Sequence, residues 1–171
     1  MVSASSLQVS IRRFEPADWP QLWPLLRATF ETGDTYAYAP DSREADVRKI
    51  WTEAPAATFV ACGADGHVVG TYFIKANQPG LGSHVCNCGY VVARAAQGRG
   101  IAAAMCEHSQ REAVAMGFRA MQFNLVVSTN ERAVRLWQRL GFTVIGTLPR
   151  AFHHRRLGYV DALVFYKELV T

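Results

Sequence analysis

The feature that most constrains the fold is a glycine-rich junction between a predicted strand and a predicted helix. Apolar residues up to Val92 indicate a buried strand, and a stripe of small and apolar residues from Gly100 to Met116 indicates a helix. The segment between them, QGRGIA at residues 97–102, lets the backbone approach an anion closely. Because unpaired N–H groups at a helix N-terminus attract negative charge, the junction predicts a pyrophosphate site. A turn of this kind, taken alone, can also bind nothing.

The rest of the chain predicts an α/β protein with a sheet of mixed direction. A strand is expected around residues 7–11, and a helix starts at Asp18 although Pro24 interrupts its apolar face. A turn at residues 65–66 joins two strands in a hairpin. Further strands are expected at residues 85–92, 121–127, 142–147 and 160–168, and helices at 41–51, 100–116 and 131–140. The order βααβββαβαββ indicates one mixed α/β sheet.

A second segment strengthens the interpretation of the junction. Residues 128–142 read STNERAVRLWQRLGF, about thirty residues after the junction. The two segments resemble the two signatures of the GNAT superfamily of acyl-CoA N-acyltransferases. The pyrophosphate signature, Q/R-x-x-G-x-G/A, is matched at Gln97, Gly100 and Ala102. The other signature, N-x-x-A-x-x-L-Y-x-x-x-G-F, is matched at Asn130, Ala133, Leu136, Gly141 and Phe142. The resemblance covers about residues 7–168.

This resemblance implies a single GNAT domain over residues 1–171, with splayed fourth and fifth strands and helices on the sheet. Acetyl-CoA is the implied cosubstrate, with its pantetheine arm between the splayed strands and its pyrophosphate on the junction. Arg94 and Arg99 can add charge-assisted bonds to it, and Asn130 is also an ordinary helix N-cap. The residues expected to bind acetyl-CoA are Tyr90, Val91, Val92, Gln97, Gly98, Arg99, Gly100, Ile101, Ala102 and Asn130.

The second signature departs from the family at the position of its tyrosine, which is Trp137 here. In the family that tyrosine protonates the departing CoA thiolate, and an indole N–H cannot supply the proton. We therefore expect Trp137 to pack in the interior, with Tyr159 and Tyr166 as alternative donors. Because thiol pKa values are around 8.5, a thiolate is also a tolerable leaving group without a donor.

Amides stand where many GNAT enzymes carry an acid. Those enzymes place a glutamate two residues before a Gly-Tyr pair on the fourth strand, and this position is Asn87. An amide cannot act as a base, but it can orient water or bind a carboxylate or an amine. The segments ETGDTY at residues 31–36, SHVCNCGY at 83–90 and FNLVVSTN at 123–130 together resemble the GNAT subgroup that acetylates proline analogues such as azetidine-2-carboxylate, which implies Asn87, Asn124 and Asn130 as site residues. The catalytic candidates are Asn87 and Asn124, and the substrate-binding candidates are Glu31, Asp34, Tyr36, Asn87 and Asn124.

Composition excludes several other classes of function. Lys and Arg number 18 against 14 Asp and Glu, without a block of like charge, so no nucleic-acid partner is expected. No stretch approaches the ~20 apolar residues of a membrane span, so no membrane partner is expected. The four cysteines lack CxxC spacing and the histidines lack ligand spacing, which predicts no metal and a cytoplasmic location. The basic segment 150–156 is expected to be a solvated loop, and a homodimer is left open.

The expected function is transfer of acetyl from acetyl-CoA to the amine of a small molecule, an amino acid or proline analogue, by direct attack in a ternary complex. Two alternatives stay open. Acetylation of a protein or peptide N-terminus needs an acidic groove, for which Glu31 and Asp34 are the available loop acids. A non-catalytic acyl-CoA-binding sensor is favoured by the missing tyrosine and glutamate.

Overall fold

The computed structural model describes residues 9–170, which form a seven-stranded sheet with helices on both faces. The strands of the described range are β1 Ser10–Arg13, β2 Ala57–Cys62, β3 Val68–Ala76, β4 Val85–Val92, β5 Ala120–Val127, β6 Thr143–His154 and β7 Gly158–Glu168. The α-helices are α1 Trp19–Phe30, α2 Glu44–Arg48, α3 Ile101–Ala115 and α4 Glu131–Arg139. This confirms the predicted order; Leu7, at the start of the predicted first strand, lies outside the described residues.

The direction of the sheet changes at its centre. Its strand order is β1-β2-β3-β4-β5-β7-β6, and every neighbouring pair is antiparallel except β4 and β5. These two parallel strands pair only at Val85 with Ala120 and at Cys86 with Met121. Beyond that point they diverge, while β4 stays paired with β3 along its length. The predicted mixed sheet with splayed fourth and fifth strands is therefore confirmed.

Two apolar clusters cover the two faces of the sheet. Alternation along β3 sends Tyr72 and Ile74 to the cluster under α3 and sends Phe73 to the cluster under α1. The largest fully buried side chain in the cluster under α1 is Trp51, whose indole N–H donates to Thr71 Oγ1 at 3.1 Å. Because both faces are covered, the central strands are rigid supports for whatever lies in the gap between β4 and β5.

Helix α1 runs through Pro24, which lies inside it. A proline within a helix removes one backbone hydrogen bond and costs about 3 kcal/mol. The apolar face that the sequence predicts is buried at Leu22, Leu26 and Phe30, each 0–2% exposed. Since burying one such side chain contributes about 1.5–3 kcal/mol, this face outweighs the cost of the proline.

The basic segment 150–156 is not a solvated loop, so that prediction is wrong. Strand β6 extends to His154 and pairs with β7, including Phe152 with Val160 and His154 with Gly158. Phe152 and His154 point inward and are 6% and 4% exposed. The alternation of these two inward residues with basic ones is typical of a strand. The high charge of the segment led instead to the prediction of a loop. Only residues 155–157 form the turn.

An ion pair between a partly exposed arginine and a buried aspartate connects β1 to the start of α1. Arg12 Nη1 and Nη2 donate to the two carboxylate oxygens of Asp18 at 2.8 and 2.7 Å, and the Glu15 backbone N–H donates to Asp18 at 2.8 Å. The Asp18 side chain is 8% exposed. These charge-assisted bonds, led by the one from Arg12, hold the pKa of Asp18 below its usual range.

We predict that this pair contributes to stability at neutral pH and is lost in acid. A carboxylate with a lowered folded-state pKa stabilises above its unfolded pKa of about 3.9, and the contribution disappears as the pH falls through the folded-state value. Asp18→Asn should lower the free energy of unfolding at pH 7 by about 1.5–3 kcal/mol. Urea unfolding at a series of pH values measures this. Asp46→Asn, which breaks an exposed pair with Arg43, is the control; equal losses from both variants would contradict the prediction.

Candidate functional site

Two adjoining cavities follow the gap between β4 and β5. The first, here the junction cavity, has a volume of about 460 Å³ and lies between the glycine-rich junction and α4. The second, here the strand cavity, has a volume of about 280 Å³ and lies between the diverging strands. The residues that line both are Thr35, Tyr36, Tyr90, Asn130, Ala133 and Trp137. The two cavities therefore adjoin and share part of their walls.

The junction presents free backbone donors. Gly98 and Gly100 both adopt φ +79°, a left-handed conformation that favours glycine. Within the described part of the chain, the N–H groups of residues 98–103 have no hydrogen-bond acceptor, and α3 has no side-chain N-cap. Gln97, Gly98, Gly100, Ile101 and Ala102 line the junction cavity, whereas Arg99 does not. A row of open donors at the positive end of a 15-residue helix can bind a polyanion.

The positive side chains at this cavity come from α4. Arg132 and Arg139 line the junction cavity, whereas the predicted Arg94 and Arg99 do not. Arg132 and Arg139 are seven residues apart, about two helical turns, so they share a face of α4. Neither is in a salt bridge with another described residue, and a Cβ on Gly98 would lie 3.5 Å from Arg132 Nη2. The seven-residue spacing of Arg132 and Arg139 indicates that they share one helix face, and the sequence interpretation did not use it.

Strand β4 and Asn130 supply the remaining predicted cosubstrate residues. Tyr90, Val91 and Val92 line the junction cavity. Asn130 Oδ1 accepts the Ala133 backbone N–H at 3.3 Å, so Asn130 is the N-cap of α4 while it also lines both cavities. The residues expected at the cosubstrate thus all line the junction cavity, apart from Arg99.

Amides extend across the strand cavity. Asn87 Nδ2 donates to the Gln122 carbonyl at 2.9 Å, at the first position where β4 and β5 no longer pair. Since a carbonyl only accepts, the Asn87 nitrogen must face it, and Oδ1 is left as an acceptor. Gln122 Nε2 donates to Asn124 Oδ1 at 2.9 Å, and Asn124 Nδ2 donates to Asn77 Oδ1 at 2.7 Å. Asn87, Asn124 and Asn130 line this cavity together; the sequence interpretation missed Asn77 and Gln122.

The strand cavity is cationic. The residues that line it include Lys75 but no Asp, Glu or His. Lys75 Nζ lies 5.4 Å from the centroid of the Phe73 ring and opposite Asn87 in the β3–β4 register. The predicted acids Glu31 and Asp34 do not line either cavity: Glu31 pairs with Arg27 at 2.7 Å, and Asp34 accepts from the Thr32 hydroxyl. Only Tyr36 of the three predicted residues in segment 31–40 reaches the site.

Aromatic side chains form the walls between the cavities. Trp137 is 7% exposed and its ring centroid lies 5.1 Å from that of Tyr90 and 5.0 Å from that of Phe123, as expected for a packing residue. Tyr36 donates its hydroxyl to the Tyr90 carbonyl at 2.7 Å. Burial raises the pKa of Tyr36, which keeps it protonated as a donor.

Tyr38, which the sequence analysis did not single out, is the tyrosine of the strand cavity whose hydroxyl lacks a hydrogen-bond partner among the described residues. Tyr159 and Tyr166, offered as alternative proton donors, do not line either cavity. Tyr38 lines the strand cavity and stacks on Tyr36 at 6.0 Å. Its hydroxyl makes no hydrogen bond within residues 9–170, and burial raises its pKa. A tyrosine with a raised pKa is a weak proton donor to a thiolate.

The part of the chain that contains most of this site matches a known family. Residues 19–142 match the acetyltransferase (GNAT) family. The chain belongs to the GNAT family. Among relatives of this GNAT protein, N-acetyltransferase aca1 of Schizosaccharomyces pombe is 37% identical over 99 residues, which are 57% of this chain. The match spans 47%, about half, of the length of that relative.

Solved structures share the fold of this GNAT protein. A GCN5-related N-acetyltransferase from Kribbella flavida has a TM-score of 0.89 and 45% identity, covering 94% of this chain and 97% of that one. A phosphinothricin acetyltransferase from Sinorhizobium meliloti, in complex with AcCoA, has a TM-score of 0.85 and covers 96% of this chain and 90% of that one. At 18% identity, the second likeness shows the fold alone. The family expected from the two signatures is confirmed.

Two further features concern the range that the structure describes. Between residues 9 and 170, no three His, Cys, Asp or Glu side chains are grouped so that they could hold a metal ion. Of the helices in that range, none is long and apolar enough to cross a bilayer.

The hydrogen bond from Tyr36 to β4 should contribute measurably to stability. Tyr36→Phe leaves the Tyr90 carbonyl without this donor, so the free energy of unfolding should fall by about 1–2 kcal/mol. Tyr38→Phe is the matched control, since its hydroxyl has no partner among the described residues, and it should change stability less. Urea unfolding of the two variants measures the difference. A Tyr38→Phe loss as large as that of Tyr36→Phe would rule out the assigned role.

Proposed function

We propose that this protein transfers an acetyl group from acetyl-CoA to the amine of a small amino acid. One observation carries the proposal: a cavity walled by free backbone N–H groups adjoins a second cavity that holds a lysine and amides but no carboxylate. The first suits a polyanionic cosubstrate, and the second suits a small acceptor that carries its own negative charge. Family membership and the names of the similar proteins support acetyl transfer.

The residues of the junction cavity suit the separate parts of acetyl-CoA. Its open donors at residues 98–103 can receive the pyrophosphate, and Arg132 and Arg139 can pair with phosphate oxygens. The gap between β4 and β5 leaves room beside residues 90–92 and Asn130 for an extended arm to reach the strand cavity. Acetyl-CoA held by these residues would supply an activated thioester carbonyl for an acceptor in the strand cavity.

The strand cavity fits an amino acid that has a compact apolar body. Lys75 can pair with the acceptor carboxylate, and the free Oδ1 of Asn87 can accept a hydrogen bond from its amine. Asn124 adds an amide on the β5 side, while Phe73 and Phe123 form apolar walls. Proline analogues such as azetidine-2-carboxylate combine these features. A peptide N-terminus, by contrast, gains nothing from a cationic pocket when its carboxylate is distant.

Direct attack follows from what the cavity residues can and cannot do. The neutral amine attacks the acetyl carbonyl carbon, a C–N bond forms and the C–S bond breaks, so the sulfur leaves as thiolate. The proton left on the acylated nitrogen passes to that thiolate or to water. Because no Asp, Glu or His lines the strand cavity, the ammonium proton must pass to water held by the amides. Cys88 lines the cavity, but burial raises the pKa of its thiol, which disfavours a covalent acetyl-cysteine step.

The compartment proposed for this reaction is the cytoplasm. The four cysteines are free and buried, as in a protein that stays reduced.

The cosubstrate assignment predicts a loss of affinity when a carboxylate is placed at the junction. Gly100→Glu should weaken acetyl-CoA binding by more than roughly tenfold, because the new charge meets the pyrophosphate among its donors. Calorimetry measures the Kd. Gly66→Glu is the matched control, since Gly66 has φ +80° and, like Gly100, nothing within 4 Å of an added Cβ. Undiminished affinity in folded Gly100→Glu protein would refute the assignment.

The acceptor assignment predicts selection for a free carboxylate. The enzyme should acetylate azetidine-2-carboxylate and proline faster than their carboxamides, measured as thiol release across an amine panel. Lys75→Gln should reduce kcat/KM for the acids by about tenfold and leave the carboxamides unchanged. Lys49→Gln, which removes an exposed lysine outside both cavities, is the control.

Two results would contradict the proposal. Equal effects of Lys75→Gln on acids and carboxamides would remove Lys75 from the acceptor site. Absence of turnover with every amine, while acetyl-CoA still binds, would favour an acyl-CoA-binding sensor instead of an enzyme.

A further inference from the structure

The turn between β6 and β7 holds segment 31–40 in place from outside the cavities. Arg155 Nη1 donates to the Glu31 carbonyl at 2.9 Å, and the Arg155 backbone N–H donates to the Gly33 carbonyl at 3.1 Å. Glu31 directly follows the last residue of α1. Carbonyls at a helix C-terminus lack intrahelical partners and carry partial negative charge, so a guanidinium is a favourable donor there.

The turn is itself fixed to the sheet. His154 is 4% exposed, and its Nδ1 accepts the backbone N–H groups of Arg156 and Leu157 at 3.1 and 3.2 Å. The buried imidazole thus organises the turn through these two hydrogen bonds. Arg155 is therefore presented to segment 31–40 by a buried anchor.

Close packing complements the hydrogen bonds. Gly33 has φ +65°, and a Cβ added there would lie 3.1 Å from the Cβ of Arg155. The two backbones approach at a distance that a larger residue at position 33 would disturb. The contact between the turn and the segment thus depends on residues from both sides.

The same segment supplies a wall of the proposed active site. Thr35 and Tyr36 line both cavities, and Tyr38 lines the strand cavity. Tyr36 is bonded to the Tyr90 carbonyl at 2.7 Å. The segment is therefore held at two points, by Arg155 near its start and by β4 through Tyr36.

We propose that Arg155 is a positioning residue that sets the acceptor wall of the strand cavity by holding segment 31–40. Arg155 lines neither cavity, so it acts on the acceptor through Tyr36 and Tyr38. The inference goes one step beyond the proposed function and rests on it for its kinetic consequence. The positioning of the segment, in contrast, is measurable without any substrate.

Hydrogen exchange of the unliganded protein tests the positioning. Backbone amides of residues 31–40 should exchange about three- to tenfold faster in Arg155→Ala than in the wild type, as expected from loss of one solvent-exposed hydrogen bond. Arg155→Lys, which keeps a cationic donor, should restore slower exchange. Arg156→Ala is the matched control, because the Arg156 side chain is exposed and makes no hydrogen bond or salt bridge among the described residues. Unchanged exchange in Arg155→Ala would overturn the proposal.

Kinetics test the consequence at the acceptor. Arg155→Ala should raise the KM for azetidine-2-carboxylate by about three- to tenfold and change the KM for acetyl-CoA less than about twofold. Gly33→Ala should have the same effect from the opposite side of the contact, and Arg155→Lys should recover most of the acceptor KM. Equal changes in both KM values would indicate a general structural role and overturn the proposal. If the wild type acetylates no amine, the proposed function fails, and hydrogen exchange still decides whether Arg155 positions the segment.

Discussion

The early separation of β4 from β5 is the constraint on which the rest of the site depends. Two parallel strands pair at two positions and then diverge, although each remains paired on its other side. An opened sheet leaves backbone polar groups to be satisfied by side chains, water or ligand. The Asn87 amide satisfies the Gln122 carbonyl at the first unpaired position. The opening is thus stabilised by the chain itself and leaves room for a ligand beyond it.

The two helices that begin near this opening contribute different electrostatic groups to the junction cavity. The N-terminus of α3 offers backbone donors, because its first turn and the preceding junction have no acceptor within the described residues. Helix α4 offers the charged side chains Arg132 and Arg139, and its N-cap Asn130 lines both cavities. Fixed dipoles from one element and charges from another can together bind a polyanion in the junction cavity.

Under the proposed function, specificity for the acceptor would depend on the absence of acids from the strand cavity as well as on the lysine that lines it. No carboxylate lines the strand cavity, so under the proposed function a cationic acceptor would find no opposite charge there, and Lys75 would favour an acceptor with its own carboxylate. Segment 31–40 supplies another part of the lining, and it is hydrogen-bonded to β4 through Tyr36 and to the turn between β6 and β7 through Arg155. In our proposal, the segment is therefore positioned by a central strand and by a turn at the edge of the sheet.

The sequence by itself determined the order of elements, the junction, the Asn130 cap and the packing role of Trp137, because each depends on neighbours close in the chain. Tertiary structure decided which charges reach the site: Arg132 and Arg139 do, while Glu31, Asp34 and Arg99 do not. It also decided that Lys75 faces Asn87 and that Arg155 reaches Glu31 across the fold. Long side chains on loops and helix surfaces take their direction from strand register and helix packing, which local patterns do not contain.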